Sequence, residues 1–163
     1  MSSTDELLEN AKNYEANFDN ADLPLPPGKK VAVVACMDAR LTPYGVLGLK
    51  EGEAHVIRNA GGVVDDDAIR SLAISQNLLG TEEIILIHHT DCGMLTFTDE
   101  EFAQKLEDET GSKPEWSAHA FADLEGDVRS GIEKIKSSPF IPNTDSVRGF
   151  VFDVHTCALN EVS

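Results

Sequence analysis

Apolar residues change their period from segment to segment along the chain, and those changes set out the elements. Val31-Ala32-Val33-Val34-Ala35 is a continuous, largely β-branched run, the pattern of a strand buried on both faces. Ala54-His55-Val56-Ile57-Arg58 and Glu83-Ile84-Ile85-Leu86-Ile87 predict two more strands, and Gly149 to Val154 a last one at the C-terminal edge. Other stretches carry helical spacing. Leu7, Leu8 and Ala11 follow Ser3 and Glu6, a capping box predicting a helix over 4–17. A brief helix is expected from Pro43 to Leu47. Asp65, Asp66 and Asp67 suit the positive end of a helix carrying Ile69, Leu72, Ala73 and Leu79 and stopped by Gly80. Thr98 with Glu101 predicts a helix to about Asp108. Phe121, Leu124, Val128, Ile132 and Ile135 predict a long one from about Ser117 to Lys136.

Strands alternating with helices predict an α/β fold: a mostly parallel central β-sheet flanked by helices. At 163 residues the chain is expected to form a single domain over residues 1–163. Residues 1–28 stand apart as an N-terminal helical arm, whose Leu23-Pro24-Leu25-Pro26-Pro27-Gly28 cannot continue a helix. Such an apolar arm is expected to dock on a second subunit.

Two short segments carry the chemistry. Cys36-Met37-Asp38-Ala39-Arg40 directly follows the first strand, and His89-Thr90-Asp91-Cys92-Gly93 follows the third. Ligands of open α/β sheets gather at these strand ends, so both segments can reach one point if the strands are neighbours. Cys36, His89 and Cys92 offer two thiolates and an imidazole, the donors zinc prefers, and three protein ligands leave one position open for chemistry. Asp38 beside Arg40 can manage that position: paired with the guanidinium it leaves it free, released it can fill it. Gly61, Gly62 and Gly93 are candidates to line a substrate site. Gly61-Gly62 is no phosphate loop, because the Gly-Lys-Ser/Thr ending is missing.

Charge narrows the partners. Thirteen Lys and Arg against 29 Asp and Glu give −16, which repels nucleic acid and anionic membranes. No run approaches the roughly 18 apolar residues of a membrane helix, and the acidic first fifteen residues do not read as a signal peptide, so a cytoplasmic protein is expected. Three cysteines make no disulfide framework. His155 and Cys157 read as incidental, His55 as structural, His119 as the opening of the long helix, and Trp116 as core or interface.

In order and spacing, Cys36 to Arg40, Gly52-Glu53-Ala54, Arg58-Asn59-Ala60-Gly61-Gly62, His89 to Gly93 and Val147 to Val154 resemble the β-class carbonic anhydrases. The likeness is to the short subgroup that also holds carbonyl sulfide and carbon disulfide hydrolases. It covers most of the chain from about residue 30 onward. It implies one Zn²⁺ per chain on Cys36, His89 and Cys92, Asp38 and Arg40 as the catalytic dyad, and an obligate homodimer, often assembled further as a dimer of dimers. The activity implied is reversible hydration of carbon dioxide by a zinc-bound hydroxide, with carbonyl sulfide hydrolysis as the alternative and a non-catalytic zinc or thiol sensor as a third reading. Two positions depart from the family pattern. Lys50 stands where many members carry a glutamine, leaving the substrate-orienting donor unassigned, and His88 stands where a glycine commonly precedes the ligand histidine. His88 is expected to serve packing or to support the site.

Overall fold

The computed structural model describes residues 2–163. Five strands form one sheet in the order β2-β1-β3-β4-β5: β1 Val31–Cys36, β2 Ala54–Asn59, β3 Glu83–His89, β4 Val147–Phe152 and β5 Leu159–Val162. All pairs are parallel except β4 with β5, which is antiparallel. From β1 the chain runs outward to β2, then returns to place β3 on the other side of β1. That reversal opens a crevice at the carboxyl ends of β1 and β3.

β1 is central because its side chains can be buried on both faces. Ala32 and Val34 pack with Leu72, Ile84, Leu86 and Ile135 on one side, while Val33 and Ala35 pack with Leu41, Ile87, Met94 and Phe152 on the other. The first face is covered by α3 (Asp66–Leu79) and α5 (Leu124–Lys136). α3 begins where Asp65 Oδ1 accepts the Ala68 N–H at 2.7 Å and ends at Gly80 in the left-handed region, φ +71°. α2 is Pro43–Leu47, and α4 is Asp99–Thr110 with the expected Thr98–Glu101 capping box in place.

Several expectations are corrected. The first helix, α1, spans Ser3–Ala16, and its capping box is Ser2 with Asp5, the same motif one residue earlier. Cys36 and His89 do not follow their strands but end them, because Cys36 still pairs with Asn59 and His89 with Phe152. The long helix starts at Leu124 rather than Ser117, capped by Asp123. Residues before it are held elsewhere: Asp99 accepts the His119 and Ala120 N–H groups and the Ser117 hydroxyl, and Phe121 N–H donates to the Met94 carbonyl. His119 therefore lies in a loop, with φ +58°, and opens no helix. The strand predicted at the C-terminal edge, β4, is interior. β5 forms that edge, and with only two apolar residues in four it carried too little pattern to be read. Trp116 is largely exposed in the single chain.

Residues 2–26 are exposed throughout, and α1 buries no residue. The arm is fixed where Gly28 N–H donates to the Gly52 carbonyl at 2.8 Å, and Tyr14 of α1 and Asn20 beyond it both donate to Glu51. No helix among the described residues is long and apolar enough to cross a membrane.

Candidate metal centre

The two strand ends bring Cys36, His89 and Cys92 together. Their donor atoms lie within 4.8 Å of one another, all buried, and among the described residues they are the one group of three such donors found. β1 and β3 are adjacent, so their ends converge. After His89 the chain turns sharply through Asp91 (φ +55°), which returns Cys92 to the same point.

Hydrogen bonds set each donor. His89 Nδ1 lies 2.8 Å from the Thr90 carbonyl oxygen and donates to it, which leaves the Nε2 lone pair facing the sulfurs, 3.2 Å from Cys36 Sγ. Burial opposes protonation of His89, but its bonds to Cys36 and Thr90 outweigh that and raise its pKa. The neighbouring Cys92 thiol pulls the Cys36 thiol down to about 4 against the effect of burial, with His89 and the Asp38 and Gly61 amides acting the same way. The same pairing, with burial, pushes Cys92 well up. Two buried sulfurs and an imidazole thus face one point, and with both thiols deprotonated they offer a divalent cation two thiolates and a neutral imidazole, a donor set that fits zinc.

Asp38 lies beside the donors but is engaged. Arg40 Nε donates to Oδ1 at 3.0 Å and Nη2 to Oδ2 at 2.9 Å, and the Arg40 backbone N–H adds a bond to Oδ1 at 2.8 Å. These bonds, the side-chain ones foremost, hold the Asp38 carboxyl well below the usual carboxylate range. Its Oδ2 is 3.7 Å from His89 Nε2.

Residues outside the predicted site complete the frame. Asp91 takes the far side of Arg40, accepting Nη1 at 2.8 Å on Oδ2 and Nη2 at 3.0 Å on its carbonyl. Thr90 supplies the carbonyl for His89, and its Oγ1 accepts the Val154 N–H at 3.0 Å. Both lie inside the His89–Cys92 segment, yet only the fold shows what their polar atoms meet. Arg58 donates to the carbonyls of Cys36, Asp38 and Leu41. His88 points the other way from His89, bonding Asp127 Oδ2 of α5 at 2.7 Å and stacking on Phe121. Lys50 is tied through its backbone N–H to Glu53.

A cavity of about 310 Å³ opens on the donors, walled by Met37, Ala60, Gly61, Met94 and Phe97, with Asp38, Gly93 and Thr96. Gly61 (φ +86°) and Gly62 (φ +66°) occupy backbone space that other residues adopt with strain. A Cβ on Gly62 would lie 2.7 Å from the Cys36 amide nitrogen, so that glycine serves close packing of the turn beneath the donors. Next to this cavity, sharing Met37, Ala60, Met94 and Phe97, runs a larger apolar groove of about 690 Å³ floored by Phe102 and Trp116.

Comparison with known proteins agrees with this geometry. A family profile described as carbonic anhydrase matches residues 31–148. The chain is 59% identical over 163 residues to β-carbonic anhydrase 1 of Mycobacterium tuberculosis, covering 100% of this chain and 99% of that protein. It is 34% identical over 161 residues to a carbon disulfide hydrolase of Acidianus sp. (strain A1-3), covering 84% of this chain and 79% of that one. The crystal structure of the carbonic anhydrase from Streptococcus mutans superposes with a TM-score of 0.93 at 43% identity, covering 100% of this chain and 99% of that one. A Cys-His-Cys donor set at the ends of β1 and β3, within a profile match that spans most of the fold, leaves one conclusion: the chain belongs to the β-carbonic anhydrase family.

Proposed function

We propose that this protein hydrates carbon dioxide reversibly to bicarbonate and a proton, at one zinc ion held by Cys36, His89 and Cys92. One observation carries the reading: Asp38, the nearest group able to fill a fourth coordination position, is held by Arg40 in a bidentate pair. The open position is what distinguishes a catalytic from a structural zinc site, and it disfavours the sensor reading. Zinc in that place supplies Lewis acidity, lowering the pKa of a water from 15.7 toward neutrality.

The chain's own residues do the rest. Two thiolates cancel the formal charge of the ion, and His89 is fixed in the tautomer that ligates. Asp38 is an acceptor aimed into the cavity, and Arg40 and Asp91 keep its oxygens from turning onto the metal. Met37, Met94, Phe97 and Ala60 offer an apolar wall suited to a small uncharged substrate. Gly93, with open space where a side chain would stand, lets that substrate approach the backbone closely, whereas Gly61 makes room for Met94 and Phe121.

The reading includes a homodimer, possible further pairing of dimers, and a reducing cytoplasmic setting that suits three unpaired cysteines. Leu7, Leu8, Tyr14, Phe18, Leu23 and Leu25 are all exposed on the arm, and β2 is a bare sheet edge. A second copy can cover both, along with the apolar groove.

The direct experiment compares carbon dioxide hydration by the zinc-loaded protein with sulfide release from carbonyl sulfide and carbon disulfide. Fast hydration with one zinc per chain is expected. Stoichiometric zinc with no acceleration of hydration overturns the proposal, and dominant sulfide release assigns the site to the hydrolase alternative.

A further inference from the structure

Arg58 stands one rung before the end of β2, paired in register with Ala35. Its guanidinium reaches over the end of β1, where Nε and Nη2 donate to the Cys36 carbonyl at 3.0 and 2.6 Å. Nη2 also lies 2.9 Å from the Asp38 carbonyl oxygen and 2.7 Å from that of Leu41. Three main-chain oxygens from one short loop thus converge on one cation. The sheet cannot supply these bonds: Met37 N–H to the Asn59 carbonyl, 2.8 Å, closes the ladder, and β2 then turns away through Ala60–Gly62. Without Arg58, the Cys36, Asp38 and Leu41 carbonyls would lose their shared cation at a partly buried loop, and the Asp38 carbonyl would keep only the Leu41 N–H, at 3.1 Å.

That loop carries the dyad. Asp38 lies between two competing partners, the Arg40 fork and the open position beside His89, and its Oδ2 is only 3.7 Å from His89 Nε2. A shift of about 1 Å in the backbone therefore decides which partner it meets, and a misplacement of that size costs roughly 100-fold in rate. Arg40 controls the carboxylate from the side-chain end and ties it to Asp91, but it bonds none of the loop's own carbonyls. Arg58 grips that main chain directly, from a different strand.

We propose that Arg58 is a positioning residue for this reaction: through the carbonyls of Cys36, Asp38 and Leu41 it holds the dyad loop so that Asp38 stays on Arg40 and off the metal. The inference rests on the metal site and reaction given above. A lysine does not replace it, since a single ammonium lacks the planar fork that reaches several oxygens at once.

The test uses full-length Arg58→Ala and the milder Arg58→Lys, each loaded with Zn²⁺ for kinetics and with Co²⁺ for spectroscopy. For Arg58→Ala we expect metal content near one per chain, kcat for hydration down about 100-fold with KM little changed, and a changed visible Co²⁺ spectrum. Arg58→Lys shows the same changes to a smaller degree. Millimolar guanidinium restores turnover and spectrum in Arg58→Ala, whereas methylammonium at equal ionic strength does not. In the metal-free variants, hydrogen exchange quickens at the Met37 and Leu41 amides while the sheet amides of β1 and β3 keep their protection. Parent-like turnover and spectrum in both variants overturn the proposal, as does a loss that comes with uniform loss of protection across the sheet. The Co²⁺ spectrum and the exchange pattern need no substrate, so a parent protein inactive on carbon dioxide would sink the assigned reaction while leaving the role of Arg58 separately readable.

Discussion

The metal pocket and the N-terminal arm are built on opposite terms. In the pocket, Cys36 and Cys92 are 4% exposed and His89 0%. The partners that fix this region come from distant parts of the chain: Arg40 to Asp91, Arg58 to Cys36, Val154 to Thr90. In α1, hydrogen bonds and ion pairs are mostly local, Ser2 with Asp5 and Glu9 with Lys12, and no side chain is buried. A helix of this length is marginal by itself in water. The pocket is over-determined by its own fold, whereas the helix of the arm buries no residue within this chain. Each experiment below presses on one side of that contrast.

The largest effect is expected from breaking the donor set. Cys92→Ala or His89→Ala should abolish stoichiometric zinc, read by elemental analysis, and bring carbon dioxide hydration to background. Removing zinc from the parent with a chelator should lower its Tm, because an ion bound only by the folded state stabilises it by about 2.7 kcal/mol at 100 times its Kd. The same chelator should leave the Tm of Cys92→Ala unmoved. A variant that keeps one zinc per chain would show that these residues are not the ligands.

Next in size is the dyad. Arg40→Ala should keep zinc near one per chain while kcat falls about 100-fold, since Asp38 loses the partner that holds it back. Asp91→Asn should cost less, under about fivefold, because the pair it makes with Arg40 is largely in solvent. Equal losses in the two variants would mean that Arg40 acts through Asp91 rather than through Asp38.

On the arm, deleting residues 2–22 should leave the sheet and zinc content intact and shift the molar mass, measured by light scattering, from dimer to monomer. An unchanged dimer would place the interface on the β2 edge and the groove alone.

What the sequence made legible follows the same division. Strands β1 and β3 were readable because burial on both faces demands unbroken apolar runs, and Cys36 and His89 because soft donors at strand ends are few. Phe121 misled for a physical reason: its spacing continues that of α5, but the residue serves as a wall against His88 and Gly61. Arg58 and Asp91 could be seen in the motifs but not understood, since an arginine that binds carbonyls leaves no pattern of its own. Their partners lie 17 to 51 residues away. β5 was invisible because an edge strand of four residues has one paired neighbour and little to bury.

The smallest expected effect tests a region between the two extremes, the loop from Trp116 to Phe121 that floors the groove and is pinned by one carboxylate. Asp99 accepts the Ala120 N–H at 2.7 Å, the His119 N–H at 3.2 Å and the Ser117 hydroxyl. The Ser117 bond, then that of Ala120, holds its pKa below the ordinary value. A carboxylate with a depressed folded pKa adds stability above its unfolded pKa, near 3.9, and loses that contribution as pH falls through the folded value. Asp99→Asn should therefore lower Tm by about 2 °C at pH 7, and the gap to the parent should close as pH drops below about 4. A gap that stays constant from neutral pH down to about 3 would mean that the loop is held by its packing on Met94 and Phe102, and that it belongs with the over-determined pocket rather than with the arm.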